Sequence, residues 1–204
     1  MKSVLISIRP EWCRKIISGE KTIEVRKTRP KLDLPFKCYI YCTSGHPYIS
    51  VKGGNLDRDT VRTNTVGRCN GKVIGEFVCD RIIPGSWSYN LRTCSGELLA
   101  STLYGLKGCC LTDAEIIAYG QGNDKRGGHV FGWHISDLNL YRVPRELQEF
   151  RQVCPKDLRC ESCAMYREHE GACGNEALRL LRPPQSWMYV EENSTIPVND
   201  PVAP

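Results

Sequence analysis

Gly19-Glu20-Lys21-Thr22-Ile23-Glu24-Val25-Arg26 is the stretch on which the reading of the whole chain turns. It sets two cations, Lys21 and Arg26, and two carboxylates, Glu20 and Glu24, within eight residues. Lys21, Ile23 and Val25 alternate with Thr22, Glu24 and Arg26, which is the period of a strand whose successive side chains point to opposite faces. Thr22, Glu24 and Arg26 are thereby predicted to share one face. With Ile23 and Val25 buried and Lys21 at the mouth of the strand, that face offers a polar row to a groove.

Upstream of this stretch, Val4-Leu5-Ile6-Ser7-Ile8 reads as a short strand. Pro10 then suits the first turn of a helix running through Trp12, Cys13, Ile16 and Ile17, and Gly19 is placed to end it. Downstream, a connection from Pro30 to Pro35 leads into the aromatic, alternating run Phe36–Cys42, a strand. Residues 43–68 are rich in Gly, Asn and Asp and show no period, so they are expected to form a long loop. His46, Lys52, Arg58, Arg62 and Arg68 make that loop basic enough to touch a polyanion.

Asn70-Gly71 announces a tight turn into a strand over 72–83, which Pro84-Gly85 is expected to stop. Helices are predicted over 96–107 and 111–119, the second opened by Thr112 with Glu115 as a capping box and closed by Gly120. The Gly-rich piece from Gly120 to Gly128 lacks the strand-before, helix-after setting and the Lys-Ser/Thr ending of a phosphate loop, so it reads as a hairpin or loop. His129–Tyr141 is the last strand. Five strands with helical insertions describe an α+β chain forming a small mixed β-barrel. Helices do not alternate with strands, which excludes a doubly wound parallel sheet.

A length of 204 residues fits one domain with a small attachment. No apolar run reaches the length of a transmembrane helix. The apolar run near Met1 is too short for a signal peptide and soon meets Arg9 and Pro10, so a cytoplasmic protein is expected. The formal net charge is +5, and residues 1–37 carry ten Lys/Arg against four acids, while the rest is close to neutral. The basic excess therefore surrounds the opening stretch. That is the footprint of a phosphate-bearing partner, although charge alone also allows a merely solvated face.

Twelve cysteines without a secretory signal argue for metal ligation or core thiols over disulfides. Cys13, Cys38, Cys42, Cys69, Cys79, Cys94, Cys109 and Cys110 are scattered among apolar residues, as buried small hydrophobes are. Cys154, Cys160, Cys163 and Cys173 instead form a C-x5-C-x2-C-x9-C cluster. A C-x2-C pair lets two sulfurs converge on one ion, and four thiolates suit a closed, structural Zn2+ site. An iron–sulfur cluster accepts the same ligands, and unmetallated or disulfide-linked thiols are the third reading. Beyond the cluster, Arg182-Pro183-Pro184-Gln185-Ser186-Trp187 is expected to lie extended across the barrel with Trp187 anchored in a pocket. The domain plan is a barrel over 1–147, a cysteine-rich extension over 148–190 packing on it, and a disordered tail over 191–204.

Gly19–Arg26 resembles the G-x-K-x-x-E-x-R signature of the ASCH family, small barrels related to the PUA RNA-binding fold. Gly71–Phe77 and Gly132–Leu138 resemble that family's later strands, and the resemblance covers about residues 1–147. It implies a cleft beside the signature that binds RNA, a nucleotide or a modified base. Some relatives are acetylcytidine amidohydrolases that use the motif lysine, a threonine three residues on and a distant glutamate. Lys21 matches the lysine, Glu24 stands in place of the threonine, and no helical residue matches the glutamate, Glu115 and Asp113 being near only in chain order.

Three functions follow as alternatives. The first is an RNA- or nucleotide-binding protein in which Arg9, Lys21, Arg26 and Lys27 meet phosphate, Thr22 belongs to the polar row, and Glu24 accepts from a base or sugar. The second is a hydrolase of a modified nucleoside with Lys21 and Glu24 as the reactive pair, a desolvated lysine serving as base or nucleophile. The third is an interaction scaffold in which the cysteine site and the Trp187 segment dock a protein partner. Trp12, Tyr39 and Trp133 are candidates to stack on a base.

Overall fold

The computed structural model describes residues 2–52, 55–56, 68–90, 95–98, 105–121, 127–154 and 175–193. The fold is α+β, and its described strands form two main sheets. The larger has five strands, β10 (Ser136–Arg145), β6 (Lys72–Cys79), β3 (Phe36–Cys42), β1 (Lys2–Ile8) and β11 (Trp187–Glu191), in that order. The smaller has four, β2 (Ile23–Arg26), β9 (Gly127–His134), β7 (Ile82–Asn90) and β8 (Ser95–Leu98). A short ladder joins β4 (Val51–Lys52) to β5 (Asn55–Leu56), and the α-helices among the described residues are α1 (Pro10–Ile17) and α2 (Asp113–Gly120).

The near-continuous apolar run of β1 has a structural cause, since both faces of its sheet are covered. Val4, Ile6 and Ile8 join Cys38, Ile40, Phe77 and Trp133 in the core between the two sheets and α1. Leu5 faces the opposite way, into a second core with Tyr39, Tyr41, Val73 and Tyr141, roofed by Phe150, Leu180 and Val190. The described part of the carboxyl-terminal extension thus completes the second core. A third cluster, with Ile23, Val25, Trp87, Ile116 and Val130, fixes α2 to the smaller sheet. Each large apolar side chain so buried contributes about 1.5–3 kcal/mol.

Two chain corners couple the sheets. The chain leaves β6 in the larger sheet, turns at Asp80-Arg81, and enters β7 in the smaller; it returns from β9 to β10 across Ile135. The backbone N–H of His134 donates to the carbonyl of Arg81 at 3.0 Å, tying corner to corner. Trp133 lies between the sheets with its ring edge-on to Phe36 at 5.9 Å and to Trp187 at 5.8 Å.

Several expectations change here. The run 72–83 is two strands, and β7 continues through Pro84 and Gly85. Among the described residues β7 pairs at Pro84 with β9 alone, and β8 joins the other edge from Trp87 onward, a setting in which a proline is tolerated. Residues 96–98, expected to begin the helix over 96–107, lie in β8, where the open edge of β7 outweighs local propensity, and 99–104 lie outside the described residues. Residues 129–141 divide between β9 and β10.

The long loop over 43–68 contains the β4–β5 ladder, and the buried Asn70 side chain braces its start. Asn70 accepts from the Ile49 N–H at 2.9 Å and donates to the carbonyls of Gly45 and Pro47 at 2.7 and 3.1 Å. Residues 53–54 and 57–67 of that loop lie outside the described residues.

The Thr112–Glu115 capping box forms as predicted. Of the expected tail, Glu191 pairs with Lys2 and the Asn193 N–H donates to the Tyr39 hydroxyl at 3.0 Å; residues 194–204 lie outside the described residues.

A candidate nucleotide cleft

Gly19 sets up the site. With φ at +74° it occupies the left-handed region that a side chain strains to reach, so it ends α1 and turns the chain back on itself. Lys21 follows before β2 begins, its N–H held by the carbonyl of Lys15 at 2.9 Å. Because Lys21 is not yet in the strand, its side chain lies on the same side as Glu24, three residues on, and the expected alternation fails at this end. The Lys21 ammonium donates to the carbonyl of Cys109 at 2.6 Å and stands 3.4 Å from Glu24 Oε2. Its Nζ is also 5.3 Å from the centre of the Trp12 ring, within range of a cation–π contact.

Glu24 is shared between two cations. Its Oε1 is 3.0 Å from Arg26 Nη2, and the same Nη2 donates to the carbonyl of Ser7 at 2.6 Å. Arg26 Nη1 donates to Ser186 Oγ at 3.3 Å, while its Nε is buried without a hydrogen-bond partner among the described residues. Lys21, Glu24 and Arg26 are only 3%, 7% and 7% exposed. Three charges are thus withdrawn from water at one place, at a desolvation cost that their mutual contacts offset only through good geometry.

This triad floors a cleft of about 680 Å³. One wall is the carboxyl-terminal segment Pro183–Ser186, stitched to β1 by the Ser7 hydroxyl donating to the Pro184 carbonyl at 2.6 Å and the Ser7 N–H to the Ser186 carbonyl at 2.9 Å. The facing wall is Leu111 with Glu115 and Tyr119 of α2. Trp12 and Arg9 complete the lining from α1 and its N-cap. The Glu115 carboxylate accepts from both the Thr112 N–H and its hydroxyl at 2.8 Å, and the backbone bond first, then the hydroxyl, hold it below the usual carboxylate range.

Of the residues singled out in the sequence, Arg9, Lys21, Glu24 and Arg26 come together in the cleft. Lys27 is exposed, with its ammonium 5.5 Å from the centre of the Tyr119 ring. Thr22 goes elsewhere. Its N–H is caught by the carbonyl of Gly108 at 2.9 Å, and it lines a different cavity. Gly108, at φ +95°, sits so close to the Thr22 hydroxyl that a Cβ there would collide with it. Trp133 and Tyr39 are core residues, and Trp12 alone of the three candidate stacking residues lines the cleft.

Sequence reasoning missed Ser7, Tyr119 and Ser186 as parts of the site and placed Glu115 near it only in chain order. The proline pair before Trp187 was the available signal, since it marked a segment lying across the fold. Trp187 is anchored there, its indole N–H donating to Thr28 Oγ1 at 3.0 Å.

Cys13, Cys38, Cys42, Cys69, Cys79 and Cys109 are buried thiols, Cys110 is half-buried, and Cys94 lies outside the described residues. Burial pushes the Cys13 and Cys38 thiols well above their ordinary value, and Cys79 up to about 12. Of the clustered cysteines, Cys154 is a half-buried free thiol, and Cys160, Cys163 and Cys173 lie outside the described residues. Among the described residues no three His, Cys, Asp or Glu gather to hold a metal, and no helix is long and apolar enough to cross a membrane.

No family model and no curated protein matches the chain. Among solved structures, two single-residue variants of an ASCH protein from Zymomonas mobilis are similar to it, each with a TM-score of 0.49. One is 18% identical, covering 94% of this chain and 92% of its own; the other is 17% identical, covering 93% and 89%.

Proposed function

We propose that the cleft over Lys21, Glu24 and Arg26 binds a nucleotide presented by RNA. The observation that carries this reading is the buried Lys21–Glu24–Arg26 triad flooring an open, nucleotide-sized cleft. Buried ionic groups are weak devices for stability, and in a concave site they are a mark of function. The resemblance of Gly19–Arg26 to the ASCH signature and the basic excess of residues 1–37 support the same reading. In it, Trp12 stacks on the base, and Arg9 and Lys27 at the rim meet phosphate. Lys21 faces two acceptors, the Cys109 carbonyl and Glu24, and in this reading it serves as a donor that fixes the floor.

The test is single-stranded RNA binding measured at several salt concentrations. Affinity is expected to fall linearly on a logarithmic plot, by about 0.7 in slope for each phosphate neutralised. Arg9→Ala with Lys27→Ala is expected to lower that slope by about 1.4 while leaving the fold intact, since both side chains are exposed. Absence of binding at low salt rejects the proposal. Variants of Lys21 or Arg26 are poor tests, because removing either takes from the buried Glu24 one of its two counter-ions.

A further inference from the structure

A second cavity, of about 320 Å³, lies behind the cleft. Lys21 and Glu24 face the cleft while Thr22 and Ile23 line this cavity, so the two sites stand back to back across the start of β2. Among the described residues its polar lining is Thr22, Arg81, Lys107 and His134, with no acidic side chain. Among the described residues neither Arg81 nor Lys107 is held in a salt bridge, unlike Lys21 and Arg26.

The nearest carboxylate is already engaged. Asp80 Oδ1 lies 2.6 Å from His134 Nδ1, which fixes the ring and leaves Nε2 as the nitrogen open to a ligand. The side chains stand on rigid backbone, because Asp80-Arg81 and His134-Ile135 are the two corners that couple the sheets. The His134 N–H is bound to the Arg81 carbonyl, and the Ile135 N–H donates to the Thr22 carbonyl at 2.9 Å. As a stabilising device the Asp80–His134 pair is poor, since the Asp80 side chain is exposed and that of His134 only half-buried. As a means of orienting an imidazole beside two cations it is well made. A guanidinium fork, an ammonium, an imidazole and a hydroxyl together match the oxygens of a phosphate.

We propose that Arg81, Lys107, His134 and Thr22 form a phosphate-binding site distinct from the cleft. The phosphate comes either from the backbone of the RNA whose nucleotide enters the cleft, which rests on the function proposed above, or from a small phosphorylated ligand.

The experiment follows the His134 ring by NMR during titration with inorganic phosphate, and in parallel measures the salt dependence of single-stranded RNA binding. The His134 signals are expected to shift with a millimolar midpoint in the unaltered protein and in Trp12→Ala, and to lose that shift in Arg81→Ala/Lys107→Ala, whose replaced side chains are exposed. If the backbone supplies the phosphate, the same double variant lowers the RNA salt slope by about 1.4. If the double variant loses the phosphate response but leaves the RNA salt slope unchanged, the small-ligand source is supported. No response of His134 to phosphate, or an equal response in the double variant, overturns the site. A Trp12→Ala protein that loses RNA but keeps the phosphate response separates the fate of this site from that of the cleft.

Discussion

The two cavities flanking β2 use positive charge in opposite ways. On the cleft side, Lys21 and Arg26 are buried and engaged, with Glu24, with the carbonyls of Cys109 and Ser7, and with Ser186, only Arg26 Nε lacking a partner among the described residues. On the other side, Arg81 and Lys107 are exposed and make no salt bridge among the described residues. The difference teaches that the conspicuous charges of Gly19–Arg26 shape a cavity, whereas in the function proposed above contact with a polyanion falls to cations left in water. A committed cation has already exchanged water for protein partners and gains little from a phosphate.

The strongest way to break this comparison is at the floor. Glu24→Ala leaves two buried cations without their shared counter-ion and is expected to destabilise the protein by about 3–5 kcal/mol, read as a lowered urea midpoint. Arg81→Ala, on the exposed side, is expected to change stability by less than about 0.5 kcal/mol. Equal effects at the two positions would show that the floor triad is no more structural than the corner. A smaller effect sharpens the cleft wall. Thr112→Ala removes the hydroxyl that caps α2 and is expected to cost about 1 kcal/mol, again read from the urea midpoint. Because Glu115 then loses one of its two donors, the variant should also alter RNA affinity if the wall touches the ligand.

Much of this was legible in the chain, and what was not has identifiable causes. β1, α1, β3 and the capping box of α2 rest on local signals: apolar runs, Pro10, Gly19, and the Thr112–Glu115 spacing. The cleft floor was legible as a cluster of charges, but its pairing was not. The phase of Lys21 and Thr22 depends on a carbonyl from Gly108, and the partners of Arg26 sit at Ser7 and Ser186, contacts no local period encodes. Pro84 misled because a proline forbids a strand only where its missing N–H faces a neighbour, and that depends on which edge β8 covers. The corner site was invisible for the same reason: Asp80 and His134 are 54 residues apart and meet only because two chains turn from sheet to sheet together.

The smallest expected effect tests whether that corner is a structural clasp or a poised site. The hydrogen bond to His134, ahead of the charge of that ring and of Arg81, holds the Asp80 carboxyl below its ordinary value. A carboxyl depressed in the folded state adds stability that is present above its unfolded pKa, about 3.9, and is lost as pH falls through the folded value. The stability difference between the unaltered protein and Asp80→Asn should therefore shrink as pH falls below about 4. Since the side chain of Asp80 is 47% exposed, the difference should be small and should diminish further with added salt. A large, salt-insensitive difference in urea midpoints would mark the pair as a clasp holding the two sheets together. A small, screened one leaves His134 oriented at little energetic gain to the fold, as expected of a group kept in place for a ligand.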